Sequence, residues 1–101
     1  MEKVKVYVIA KVTGVPYEEV ISKYECARDI IEFSGEFKAV LPIDHIHEQT
    51  DWHSAMKIAI PLLCSCEAYT YMDFPHTSAG GIIESMIAAV LKIEYIPMNT
   101  F

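Results

Sequence analysis

Basic residues are scarce in this chain. Eight lysines and arginines face fourteen aspartates and glutamates, for a net charge of −6 over 101 residues. No cluster of Lys or Arg interrupts that balance, which argues against a nucleic-acid polymer as partner. An acidic chain can still hold one small phosphate on the backbone N–H groups at a helix start. Long apolar runs are also missing. None approaches the roughly 18 residues of a membrane span, and Lys3 and Lys5 break up the N-terminal apolar residues, so there is no signal-like core. The three cysteines, Cys26, Cys64 and Cys66, are an odd number without a secretory context and read as reduced, buried thiols. Cys64-Ser65-Cys66 is not a C-x-x-C, and the spacing of His45, His47, His53 and His76 fits no zinc pattern. The expectation is a cytoplasmic protein with no metal, no cofactor and no membrane partner.

What the chain does have is apolar residues, 52% of the total, enough for the core of one domain over residues 1–101. Their pattern alternates between short β-rich runs and helical stripes. Val4 to Ala10 is β-branched and nearly all apolar from Val6 onward, as a central strand covered on both faces would be. Thr13-Gly14-Val15-Pro16 is a turn into a helix whose stripe is Val20, Tyr24, Ala27 and Ile31, with Gly35 as its stop. Phe37 to Leu41 is a second strand, and the polar segment from Asp44 to Asp51 a loop. Trp52, Met56, Ala59, Ile60 and Leu63 trace a second helix, in which Pro61 predicts a kink or an early end. Ala68 to Met72 is a third strand and Lys92 to Ile96 a fourth. The order β-α-β-α-β-α-β implies a parallel sheet, with ligands held beyond the carboxyl ends of its strands.

One segment stands out against that pattern. His76 to Leu91 reads as a glycine-bearing loop entering a helix, and Glu84 is the only Asp, Glu, Lys or Arg between Asp73 and Lys92. A lone carboxylate on an apolar helix either faces solvent or points into a site. Glu84 shares its helical face with Gly80, Ile87, Ala88 and Leu91, a setting that raises a carboxyl pKa or demands a partner. Ser78 reads as the N-cap, and Gly80 and Gly81 would let a ligand approach the backbone. Trp52 is either core packing or a platform for a base at the pocket mouth. The helix is apolar nearly all round, which predicts a covered outer face and a homo-oligomer, a dimer or larger.

These blocks carry a resemblance. Tyr7-Val8-Ile9-Ala10-Lys11-Val12-Thr13-Gly14 with Pro16-Tyr17-Glu18-Glu19, then Met56, Ile60, Leu63, Cys66 and Ala68, then Ser78, Gly80 and Glu84, are similar to the DUF4406-like family of small bacterial and phage proteins. That family in turn resembles the nucleoside 2-deoxyribosyltransferases and the 2′-deoxynucleoside 5′-monophosphate N-hydrolases. The resemblance implies a three-layer α/β fold, flavodoxin- or Rossmann-like, with a parallel sheet of four to five strands and helices on both faces. It implies a nucleoside or nucleotide as the small-molecule partner, Glu84 as nucleophile on the sugar's anomeric carbon, and Tyr7 as the residue that adjusts it. It places Ser78 at the sugar's 5′ end, and the strand-end rule and the glycine-bearing helix start add Ala10, Thr13, Gly14, Gly80 and Gly81 around the substrate. A neutral hydroxyl there tolerates a phosphate better than a carboxylate would, which leans the resemblance toward a nucleotide. The chain departs from the pattern where the family's acid falls on Ala59, its Cys-Asp pair ends in Glu67, and its first-loop glycine is Ala10. Asp73 is the candidate to replace the missing acid. The alternative is a nucleotide-binding or sensing module that has lost its catalysis.

Overall fold

Val6, Tyr7 and Val8 are fully buried and Ile9 nearly so, which makes the first strand the axis of the molecule. A computed structural model describes residues 2–101. Strand β1 is Val4–Ile9, β2 Phe37–Val40, β3 Ala68–Tyr71 and β4 Glu94–Tyr95; helix α1 is Tyr17–Glu32, α2 Trp52–Cys64 and α3 Ala79–Val90. All strand pairs are parallel, in the order β2-β1-β3-β4. Tyr7 stands opposite Val40 on one side and Tyr69 on the other.

The strand period of two divides β1 between two cores. Val6 and Val8 pack with Val20, Tyr24, Ala27 and Ile31 of α1. Tyr7 and Ile9 pack with Leu63 of α2 and Ala88 of α3. One helix therefore covers one face of the sheet and two cover the other, the three-layer arrangement expected. Strand order reverses at β1: the chain leaves it for β2 on one side and returns to β3 on the other. Such a reversal opens a crevice at the carboxyl ends of the strands.

Several expectations need correction. Helix α2 runs on through Pro61 to Cys64. Pro61 falls in the last turn, where its missing N–H costs one bond to a carbonyl on an exposed side, and Ser65 N–H closes the end on Pro61 and Leu62 oxygens at 3.1 Å each. The fourth strand shrinks to two residues because Lys92 takes φ +57° in the turn out of α3. Ala10, Leu41 and Met72 lie just past the strands in which they were placed. Gly35 does act as the stop after α1, at φ +81°, a conformation that favours glycine. Among the described residues no helix is long and apolar enough to cross a membrane.

Candidate active site

A cleft of about 360 Å³ opens at the carboxyl rim of the sheet. It is bounded by the segments that follow β1 and β2 and by the starts of α2 and α3. Tyr7, Ala10, Thr13, Trp52, Ser78, Gly80, Gly81 and Glu84 all line it. Of the ten candidates the sequence offers, only Gly14 and Asp73 lie outside the lining.

Glu84 is 8% exposed, with Thr70 one of two buried polar or charged residues among the described residues, and the Tyr7 hydroxyl donates a hydrogen bond to its Oε2. The contact joins the buried centre of β1 to the second turn of α3, 77 positions apart. Burial pushes the Glu84 carboxyl up to about 7, the hydrogen bond from Tyr7 pulling the other way. Burial, and next the charge of Glu84, raise the Tyr7 hydroxyl far above the ordinary phenol value, so it remains a donor at every working pH. A carboxylate near neutrality in an apolar cleft, oriented by one phenol, is poised as a nucleophile or a proton carrier.

The start of α3 holds the acid in place. Ser78 is the N-cap: its Oγ accepts the Gly81 N–H at 3.1 Å, which sets the helix phase that turns Glu84 inward. Gly80 also has a packing role besides lining the cleft. A Cβ built on it would stand 3.3 Å from Met56 Sδ and 3.7 Å from Trp52 Nε1, so its lack of a side chain lets α2 approach α3. Trp52 is 40% exposed at the cleft edge, directly after Asp51, whose side chain caps α2 by accepting from Ser54 N–H at 3.2 Å.

Gly14 is exposed at φ +80° and nothing stands within 4 Å of a Cβ added there. Its role is the turn between β1 and α1. Asp73 sits beside the cleft as a latch. Its Oδ2 accepts from Lys11 N–H at 2.8 Å and from Lys23 Nζ at 2.9 Å. Burial opposes ionisation, but the bonds from Lys23 and Lys11 outweigh it and hold the carboxyl below its ordinary value. A carboxylate held in that form is a poor proton donor at neutral pH. The substitute acid expected at Asp73 is therefore a clamp between the end of β3 and the loop after β1.

Sequence reasoning missed two groups. Tyr24 reads as one tooth of the α1 stripe, yet it also lines the cleft. Glu48 brings a second carboxylate to the lining, one position beyond the Pro42 to His47 segment that the strand-end rule already puts at the rim. His47 Nδ1 accepts the Gln49 N–H at 3.1 Å, leaving Nε2 to carry the proton of the neutral ring. The polar loop Asp44 to Asp51 was the available signal, but nothing local tells which of its residues turn inward.

Fold and site together define a small α/β protein with a carboxylate–tyrosine pair in a cleft at the strand-order reversal. The chain belongs to the family described as "Domain of unknown function (DUF4406)", which it matches over residues 4–96. Among curated proteins none matches it.

Proposed function

We propose that this protein is a deoxyribosyltransferase-like enzyme. It cleaves or transfers the N-glycosidic bond of a deoxynucleoside or its 5′-monophosphate. The observation that carries the reading is the buried Glu84, hydrogen-bonded by Tyr7 at the inner end of a cleft large enough for a nucleoside. In the reaction a Glu84 oxygen attacks C1′ as the C1′–N bond breaks, and the bond's electron pair leaves with the base. The departing base takes a proton from water in the cleft, and water or a second base, giving up its own proton to solvent, then displaces Glu84 from C1′. Tyr7 orients the carboxylate through its hydroxyl. Ser78, Thr13 and the α3 start hold the 5′ end, and Trp52 offers a face to the base. The resemblance of the Tyr7–Gly14 and Ser78–Glu84 blocks to the transferases and N-hydrolases supports the same assignment.

Incubation with the four deoxynucleosides and their 5′-monophosphates should release free base, and Glu84→Ala should abolish release. No release, with Glu84→Ala identical to the parent, removes the enzymatic claim.

A second reading rests on Ala59, which lines the cleft where the resemblance expects an acid. Loss of a general acid removes typically 10²–10⁴-fold in rate. On this reading the cleft binds or senses a nucleotide without turnover, and ligands shift the melting temperature but release no base. Both readings include self-association. The outer side of α3 carries Met86, Val90 and Leu91 at 62%, 78% and 55% exposure and no exposed charge. A monomer by light scattering at micromolar concentration would count against it.

A further inference from the structure

We propose that the cleft takes the uncharged deoxynucleoside in preference to its 5′-monophosphate, and that Tyr24 contacts the ligand through its hydroxyl. This rests on the N-glycosidic reading above and chooses between the substrates that reading leaves open.

The first support is the charge inventory of the lining. It contains two carboxylates, Glu84 and Glu48, and no lysine or arginine. Lys23 is engaged at 2.9 Å by Asp73, itself outside the lining. The one feature that attracts anions is the amino end of α3. Ser78 Oγ already satisfies the Gly81 N–H there, so an entering phosphate meets a helix start with one of its N–H groups already taken. A phosphate dianion entering this cleft would lose hydration, meet no fixed cation and face an ionised Glu84. A sugar hydroxyl meets none of those penalties, and the Ser78 hydroxyl can still donate to it.

The second support is Tyr24. It is 2% exposed, its ring belongs to the α1 core, and it also lines the cleft. Burial, then the charges of Glu84 and Asp73, keep its hydroxyl protonated and so a donor. On the cleft wall the Tyr24 hydroxyl is open to the cavity, and its partner there is whatever fills that space. Tyr7 is committed to Glu84, which leaves Tyr24 as the phenol that can read an oxygen or nitrogen of the ligand.

The experiment is equilibrium titration of the full chain with each deoxynucleoside and its 5′-monophosphate, read by calorimetry and by melting temperature. The deoxynucleoside should bind at least about tenfold more tightly than its monophosphate. Glu48→Gln should narrow that gap by removing one of the two negative charges. Tyr24→Phe should weaken deoxynucleoside binding about three- to tenfold while shifting the unliganded melting temperature by only a few degrees. Equal or tighter binding of the monophosphate overturns the charge argument and leaves the N-glycosidic reading standing. Unchanged affinity in Tyr24→Phe overturns the contact. Should Tyr24→Phe fail to fold, the parent and Glu48→Gln titrations decide the preference, and the Tyr24 ring resonances of the parent decide the contact: they should shift on deoxynucleoside titration, and unmoved resonances overturn it. Binding of neither ligand class sinks this inference and the proposed function together.

Discussion

Replacing Glu84 by Gln asks whether the cleft holds its carboxylate at the expense of the fold. In the folded chain burial moves the carboxyl from an ordinary 4.5 up to about 7, against the pull of Tyr7. The unfolded chain keeps the ordinary value. Below pH 4.5 both states carry the proton, and ionisation of Glu84 costs nothing. As pH rises from there through about 7 the unfolded chain ionises first, so stability falls, and above that the loss is complete. At about 1.4 kcal/mol per pKa unit the full loss is roughly 3 kcal/mol. Glutamine has the same shape, no charge, and an amide oxygen that can accept the Tyr7 hydroxyl. Parent and Glu84→Gln should agree within about 0.5 kcal/mol at acid pH, and the variant should lead by about 2–3 kcal/mol at pH 8. In a chain of this size that is a melting-temperature gain of about 10 °C or more. Urea unfolding at several pH values, followed by Trp52 fluorescence and circular dichroism, measures it. Other titrating groups cancel in the difference between the two proteins. A difference that does not change with pH, or a parent more stable than the variant at pH 8, would refute the reasoning.

Three further outcomes follow from contacts already described. Tyr7→Phe removes the donor that holds the Glu84 pKa down, so the alkaline rise of base release should move to higher pH, with a stability loss of about 1–3 kcal/mol at pH 8; a pH–rate profile and urea titrations check both. Asp73→Asn should cost about 1 kcal/mol at neutral pH. Because the folded carboxyl titrates below its ordinary value, that contribution is present above the unfolded pKa and is lost as pH falls through the folded one, so variant and parent converge in acid. Ser78→Ala deletes the cap on Gly81 N–H and should cost about 1 kcal/mol by thermal unfolding.

The parts of this molecule written in local pattern were legible in its sequence. The apolar run of β1, the Val20–Tyr24–Ala27–Ile31 stripe and the Ser78 cap each depend on neighbours a few positions away, and each is where its pattern put it. Glu84 was readable for the same reason, since a single charge on an apolar helix has few places to go. What depended on distant partners was not legible. Asp73 is a clamp because Lys11 and Lys23 lie 62 and 50 positions away, and no spacing rule reports that. Tyr24 serves core and cleft at once, and periodicity registers only the first. Gly80 reads as room for a ligand, and its second role, letting α2 pack close, appears only with α2 against it. Pro61 misled because its cost depends on how near the helix end it falls, and helix ends are the least certain part of a periodic pattern.

The six-residue interval between Ser78 and Glu84 works as a ruler. At 1.5 Å per residue the two positions lie about 9 Å apart along the helix axis, a fixed span that loop motion cannot change. Inserting or removing one residue among positions 79–83 would leave a good helix but turn everything after it by about 100°. Ile83 or Ser85 would then stand opposite Tyr7, and the carboxylate would leave the cleft although Glu84 itself had not been replaced. The count of residues in that turn is therefore as strict a requirement as the acid it delivers.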